Sequence, residues 1–562
     1  MKARLPLIAV FLFLVVLELI SAKIKGQVSG FAALLWLLQY AIIAAATLYL
    51  FFKLIFDELR EKSLFVPVFY LAAFILLAFI PFATPFININ YESSLQAASG
   101  LDAFSQPDLN YHGTAFLGYG ARQYLINALP TLIFGRSLAA LNFGFFQVLI
   151  LGWMAYSVGI FRWTKKMGVA SQYAIIPSAA VLFTPMLTDH YLTFEQVSSP
   201  PSIALLLIGW VLIYLDKKDN FSVFTVAWIA CLAYYSYTPS ISTLGLLFLL
   251  SVVVIFTKRM DRFLRMDAAI VLVFVLAFLS AVIFFTAGRG DGAFQVLMPD
   301  FARVLAAFKG IVFGPGDDGN IVAGGNFGIL AIPIFIYSLI SISGRVGRYH
   351  TVVIVWALFV YAASVTLQGH SMNDPYYAMS FRTQQVTPVL ITGLYFLLSK
   401  HRVGFSLNEK SSVSVSIIIL FLAFLGSCFY TSHKVYWLGP KKYNMKYILQ
   451  DMHNDIKMLN LKGLPVDAVA YISAPGMNFY DFAGYHFYNI KEFSIMDYQI
   501  PEELLTCRNV VMYGDASAIA MKEQEGLKIY EKNVRDHRLG ENYKYYRFEV
   551  LKTQRADGVG CL

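Results

Sequence analysis

The chain has 562 residues, of which 58% are hydrophobic and only 14% charged, and its mean hydropathy is +0.60. A soluble globular chain carries about a quarter charged residues, so a soluble enzyme or binding module is excluded. The net charge of +9 does not mark a nucleic-acid binder either, because the Lys and Arg sit in short loops between apolar runs, where bilayer topology puts them.

The first run, MKARLPLIAVFLFLVVLELISAK, has the basic start and apolar stretch of a signal peptide. It is long for a signal h-region and a second apolar run follows almost at once, so it reads as a retained first helix. Runs of spanning length then recur near 29–52, 64–83, 138–161, 169–188, 201–215, 221–238, 241–257, 267–287, 327–343, 350–367, 384–399 and 412–430, after the first near 5–22. Each approaches the ~20 residues a transmembrane helix needs, which predicts about thirteen spans.

Loop charge sets the orientation. With a cytoplasmic N-terminus, the inside loops carry Arg60 and Lys62, then Arg162, Lys165 and Lys166, then Lys217 and Lys218, and later Lys258, Arg259, Arg345, Arg348, Lys400 and Arg402. The outside loops at 189–200 and 237–241 carry no Lys or Arg, and only Lys23 and Lys25 oppose the bias. An odd number of spans places the C-terminus outside. Cys231 and Cys428 fall inside apolar runs as packing residues, whereas Cys507 and Cys561 lie after the last span, either as a disulfide in an oxidising compartment or as two free thiols.

After Tyr430 the texture changes. Charged residues become frequent and the apolar runs shrink to strand length at 467–473, 509–515 and 543–551, with helical patterns near 443–460 and 516–526. The organisation expected is two N-terminal spans (1–63), a membrane domain with long outer loops (64–430), and a small soluble α/β domain (431–562).

Three outer segments exceed what a connection needs: 84–137, the Gly- and Asp-rich 288–326, and 368–383. Long loops in a compact membrane chain are commonly functional. The first supplies Glu92, Asp102 and Asp108 just past a membrane interface, then His112 and Arg122, and its residues 92–104 and 119–135 read as helices with one apolar face, suited to the bilayer surface. A carboxylate at that boundary can take the proton of an attacking hydroxyl when the other substrate is lipid-anchored. For any one of these acids the competing reading is a solvated loop, for the arginines it is snorkelling at the interface, and for His112 it is a packed or exposed loop residue. GPGDDGN at 314–320 lacks the acids of a calcium loop and reads as a turn, and Asp189, His190 and Glu195 read as a capped polar rim rather than a metal site.

Glu92, the small residues Ala97 and Ala98, Leu101, His112 and the stretch LPTLIFGRSLAALNFGF resemble the first outer loop of membrane glycosyltransferases of the GT-C fold. The late stretch YYAMSFRTQQVTPVLITGLYFLL, 376–398, is similar to that family's basic, proline-containing entry into a late helix, with Arg382 as the basic residue. The chain departs from the pattern twice: the family's Asp-Glu pair is Tyr91-Glu92 here, and Gly113 follows His112 where the family has proline. The resemblance implies transfer of one sugar from a polyprenyl-phosphate carrier to an envelope glycan or glycolipid, such as O-antigen, on the periplasmic face of a bacterial inner membrane. The acid role falls to Glu92, Asp102 or Asp108, and His112, Arg122, Arg303, Lys309 and Arg382 are the candidates for binding substrate or phosphate. No cofactor is required by this reading, and a need for a divalent metal stays open. A polysaccharide polymerase or ligase using lipid-linked sugars is the alternative enzyme. A transporter or flippase is the rival class, against which stand the few charges within the spans.

Overall fold

The computed structural model describes residues 27–28, 30–61, 64–83, 109–110, 121–135, 138–166, 168–183, 199–234, 313–315, 321–323, four positions in 388–395, 445–472, 491–495, 509–514, 529–535, 542–548 and 551–552. The predicted spans at 5–22, 241–257, 267–287, 327–343, 350–367 and 412–430, and the predicted surface helix at 92–104, lie outside these residues. The chain divides into two compact units, one of Met1–Ile80, Ala103–Ile126 and Phe145–Tyr436, the other of Pro81–Asp102, Asn127–Gly144 and Trp437–Leu562.

The membrane elements follow the apolar runs. A two-residue strand β1 (Gln27–Val28) leads into α1 (Gly30–Arg60) and α2 (Phe65–Ala83). Strand β2 (Leu109–Asn110), α3 (Ala121–Phe134) and α4 (Leu138–Lys166) come next, then a 3₁₀ turn at Ser171–Ala174 that opens α5 (Ile175–Phe183), and then α6 (Ser199–Lys217) and α7 (Asn220–Tyr234). A hairpin of β3 (Phe313–Pro315) and β4 (Ile321–Ala323) flanks 316–320 in the second long loop. Among the described residues, Trp36–Arg60, Phe65–Phe82 and Phe143–Lys166 are long and apolar enough to cross a membrane.

Burial sorts these helices. The apolar stretch of α4 is 89% buried against 33% for that of α2, so α4 is the central helix of the first unit and α2 an outer one. Leu64, Phe65, Val68, Ile75 and Phe79 of α2 and its approach are exposed apolar groups, as expected of a helix that meets lipid. Phe51, Tyr70 and Trp153, from α1, α2 and α4, are fully buried and stack edge-on or tilted with centroids 5.6–6.0 Å apart. Tyr70 Oη lies 3.3 Å from Ser178 Oγ, and Trp153 Nε1 donates to the Ser178 carbonyl at 2.9 Å, which brings α5 onto the same cluster.

Helices α4 and α6 approach more closely than ordinary side chains permit. A Cβ on Gly152 would meet the Ser202 carbonyl, one on Gly159 would meet the Gly209 carbonyl, and one on Gly209 would strike the backbone of Ala155 and Tyr156. Small residues at such spacings let backbones touch where no water is present to drive association. Trp210 Nε1 then donates to Thr47 Oγ1 at 3.0 Å and fixes α6 against α1.

At the end of α1 the helix continues to Arg60, beyond the apolar run predicted at 29–52. Its charges there find partners. Buried Glu58, 1% exposed, meets Lys165 of α4 at 2.6 Å, and Glu61 meets the same ammonium at 3.2 Å. The Lys165 ammonium therefore sits between two carboxylates of α1 and the turn after it. Arg162 pairs with Asp216 of α6 at 2.9 Å, and Asp219 accepts the Ser222 amide at 2.7 Å as it opens α7. The last turns of α1, α4 and α6 and the first turn of α7 therefore share one end of the bundle.

The described part of the C-terminal region holds α8 (Met445–Leu461) and strands β5 (Ala468–Ile472), β6 (Lys491–Ile495), β7 (Asn509–Gly514), β8 (Ile529–Arg535), β9 (Asn542–Phe548) and β10 (Leu551–Lys552). Strand order is β6-β5-β7-β9-β8. Strand β5 runs parallel to both β6 and β7, whereas β9 is antiparallel to β7 and β8. Strand β10 takes up the pairing with β7 where β9 leaves it, at Leu551↔Val510. Ala468, Val469 and Ala470 and Val510 to Tyr513 are buried consecutively rather than alternately, the mark of strands covered on both faces. Met452, Ile456 and Leu459 form the buried stripe of α8. That helix ends at Gly463, whose φ of 75° lets Leu464 N return to the Leu459 carbonyl at 3.0 Å.

Candidate functional site

Two short contacts locate the first outer loop. Gln27 pairs with Asn110 and Val28 with Leu109 in an antiparallel ladder. Leu109 and Asn110 are therefore held beside the entry to α1. Helix α1 has 31 residues, about 45 Å at 1.5 Å per residue, so this ladder and the Glu58–Lys165 pair stand at opposite ends of it.

Helix α3 follows, as the apolar face at 119–135 predicts. Its inner side buries Ile126, Asn127, Ala128 and Thr131, and leaves Leu132, Ile133 and Phe134 exposed. It packs on α4 through two contacts. Gln147 Nε2 donates to the Ile126 carbonyl at 2.5 Å, and Gly144 presents no side chain to the Asn127 carbonyl. Arg122 stands in the first turn of α3, which carries no acid. A helix N-terminus favours negative charge nearby, so a cation at that position is compensated best by an anion close to it.

The late segment is tied down as well. Thr392 Oγ1 lies 2.9 Å from Tyr156 Oη, and Tyr395 Oη lies 2.6 Å from Thr164 Oγ1. Both contacts advance in the same sense, so the chain from Pro388 to Tyr395 runs parallel to α4, with Pro388 nearer to where α4 begins. The sequence treats 384–399 only as a span. Two polar groups three positions apart in an apolar run are the signal that it packs against a polar partner.

Glu92, Asp102, Asp108, His112, Arg303, Lys309 and Arg382 lie outside the described residues, and of Arg122 only the backbone is placed. Among the described residues, no three His, Cys, Asp or Glu stand together as metal ligands. Sequence reading treats the charges of Arg162 and Lys165 as topological markers alone and misses their acidic partners Asp216, Glu58 and Glu61.

A buried apolar helix packed against α1, α2, α5 and α6, with Leu109–Asn110 of the long first loop paired at the entry to α1, fits a polytopic membrane protein of the GT-C fold. ArnT from Cupriavidus metallidurans bound to undecaprenyl phosphate matches 86% of this chain and 97% of its own, with a TM-score of 0.52 at 12% identity. The same protein in its apo state matches 87% and 98%, with a TM-score of 0.51 at 12% identity. A looser likeness, at a TM-score of 0.42 and 13% identity, is to the arabinofuranosyltransferase AftD from Mycobacteria, covering 86% of this chain and 40% of that one. No known protein-family profile matches the sequence, and no curated protein matches it. At such identities the likeness defines the fold.

Proposed function

We propose that this chain is a membrane glycosyltransferase that moves one sugar from a polyprenyl-phosphate carrier to an envelope glycan or glycolipid on the periplasmic face of a bacterial inner membrane. The observation that carries this reading is the match along nearly the whole length of a protein solved with undecaprenyl phosphate. The sequence resemblance at Glu92, His112 and 376–398 points the same way independently.

In this reading about thirteen spans carry the catalytic loops outward, and residues 431–562 form a periplasmic domain that shapes acceptor access. Glu92, or else Asp102 or Asp108, accepts the proton of the acceptor hydroxyl as its oxygen attacks the anomeric carbon. The sugar–phosphate bond breaks with its electron pair going to the carrier phosphate. That growing negative charge calls for donors and cations, which Arg122 at the start of α3 and Arg382 ahead of Pro388 supply, with His112, Arg303 and Lys309 as further binding groups. The ladder that holds Leu109–Asn110 at the head of α1, and the direction of 388–395 along α4, favour bringing these segments to one end of the bundle.

The test is direct. Full-length protein in nanodiscs is given undecaprenyl-phosphate sugars and a lipid-A-type or glycan acceptor, and release of undecaprenyl phosphate is followed. Time-dependent release with a new glycosidic linkage on the acceptor is expected. Sugar passage across a sealed vesicle with no new linkage would make the chain a flippase instead.

A further inference from the structure

At the end of the bundle opposite the β1–β2 ladder, α1 and α4 leave a cleft of about 420 Å³ between them. Its lining on α1 changes character along the helix. Leu50 comes first, Lys53 and Leu54 stand side by side about one turn on, and Asp57 and Arg60 follow about two and three turns on. Phe161, Arg162 and Lys165 of α4 close the other side in the same order, ring before cations. Successive positions i, i+3, i+4 and i+7 share a helix face, so the cleft has an apolar floor at Leu50, Leu54 and Phe161 and a rim toward the helix ends in which the cations Lys53, Arg60, Arg162 and Lys165 outnumber the acids Asp57, Glu58 and Glu61.

The rim is not a closed ion-pair network. Glu58 and Glu61 are both spent on Lys165, and Arg162 is turned to Asp216. Among the described residues, the exposed side chains of Lys53, Asp57 and Arg60 have no ion pair or hydrogen bond. Cations are crowded nearby as well. The Lys217 ammonium is held below the usual lysine range by partial loss of solvent and then by Arg162 and Lys53, against the opposing pull of Asp219 and Asp216. Unpaired like charges pressed together are relieved by a bound anion.

We propose that this cleft is a binding site for one anionic phospholipid, its phosphate held by Lys53 and Arg60 and its first chain carbons laid against Leu50, Leu54 and Phe161. The order of apolar floor and cationic rim matches the order of chain and headgroup in a lipid, and basic pockets between helix ends take anionic headgroups in this way. A free phosphate has no use for the floor. The volume suits a headgroup with the start of its chains, leaving the rest of the chains in the bilayer.

Full-length protein in detergent is titrated with phosphatidylglycerol and with phosphatidylethanolamine of identical chains, and bound lipid is counted by native mass spectrometry. One phosphatidylglycerol is expected to bind about 10-fold or more tightly than phosphatidylethanolamine, a difference of one good charge-assisted contact. K53Q/R60Q keeps both stems and is expected to lose that preference, whereas D57N, which removes the unpaired acid of the rim, keeps or strengthens it. Equal binding of the two lipids by the native protein overturns the proposal, as does an undiminished preference in K53Q/R60Q. Displacement of the lipid by an equal concentration of inorganic phosphate also overturns it, because the site is then a free-anion site. If K53Q/R60Q does not elute as folded protein, R60Q alone decides, since Arg60 is exposed in the last turn of its helix and makes no packing contact to lose.

Discussion

Tyr156 donates its phenolic proton to Thr392 Oγ1 across 2.9 Å, and the direction is fixed because Thr392 spends its own proton on the Pro388 carbonyl at 2.7 Å. The same device recurs twice. Thr164 donates to the Ile160 carbonyl and receives Tyr395, and Ser178 donates to the Ala174 carbonyl and receives Tyr70. Each tyrosine therefore joins one helical segment to a hydroxyl whose hydrogen is already committed within its own helix. Tyr156→Phe leaves a lone pair unused and is expected to cost about 1 kcal/mol, whereas Thr392→Val strands a buried phenol and is expected to cost about 1–3 kcal/mol. The double variant is expected to lose less than the two single losses together. Thermal unfolding of the four proteins in one detergent measures this, and strict additivity would show that the pair is not coupled.

Gly209 admits no side chain without moving the backbone of Ala155 and Tyr156. Gly209→Val is expected to separate α6 from α4 at a cost of about 1–3 kcal/mol or more. The readout is a lower temperature at which the monodisperse peak disappears in size exclusion after heating. A variant as heat-resistant as the native protein would show that the two helices do not meet at this glycine.

Asp455 of α8 faces three donors. Lys532 Nζ lies 3.1 Å away, Arg547 Nε 3.2 Å, and Tyr513 Oη donates at 3.1 Å. The carboxylate is 13% exposed, so Asp455→Ala leaves two cations beside one another with their charge poorly solvated. Loosening by about 2–4 kcal/mol is expected, somewhat under the loss for a fully buried pair. Limited proteolysis of the full-length protein should then cut within 491–552 at least tenfold sooner, and unchanged cleavage would show that α8 is held to the sheet by its apolar stripe alone.

For the proposed transfer, Glu92→Gln is expected to lower turnover about 100-fold or more while leaving donor binding nearly unchanged. Asp102→Asn and Asp108→Asn are the companion variants. Collapse in one of these with a near-normal Glu92→Gln moves the base to that aspartate. Normal turnover in all three removes the first outer loop from the chemistry.

Single cysteines placed at Glu61 and Lys218 are expected to be labelled from the cytoplasmic side of inverted vesicles, and one at Asn110 only from the other side. Labelling of all three from one side would contradict the passage of α1 through the bilayer.

The helices were legible because a spanning helix must be apolar for most of its length, and the boundaries of α2 and α7 fall within a residue or so of the runs that announce them where both are described. The strands at 468–472 and 509–514 were legible for a similar reason, being short apolar runs bounded by polar residues. What the sequence concealed is pairing. Glu61 and Lys165 are 104 positions apart, and no local pattern marks an acid at a helix end as the partner of a base on another helix. The apolar run of α1 stops at 52 for the same reason: two of the acids beyond it, Glu58 and Glu61, are neutralised by Lys165 of α4, and the backbone stays helical to Arg60. Gly152, Gly159 and Gly209 were visible as glycines, but their service as a contact surface depends on which helix lies opposite. Periodicity marks helices around Glu92, Asp102 and Arg122, but it does not say which carboxylate meets a substrate; chemistry and resemblance single those residues out.

The two rungs between Gln27–Val28 and Leu109–Asn110 divide the long loop at one point along its length. The arm from 84 to 108 holds Glu92, Asp102 and Asp108, and the arm from 111 to 120 leads through His112 to Arg122. Closure cost grows only as the logarithm of loop length, about 0.6 kcal/mol for each doubling. Lengthening either arm is therefore inexpensive as long as the rungs persist. The loop can accordingly be altered in evolution one arm at a time: insertions before residue 109 would change the reach of the acids without moving the entry to α3, and insertions after residue 110 would do the converse.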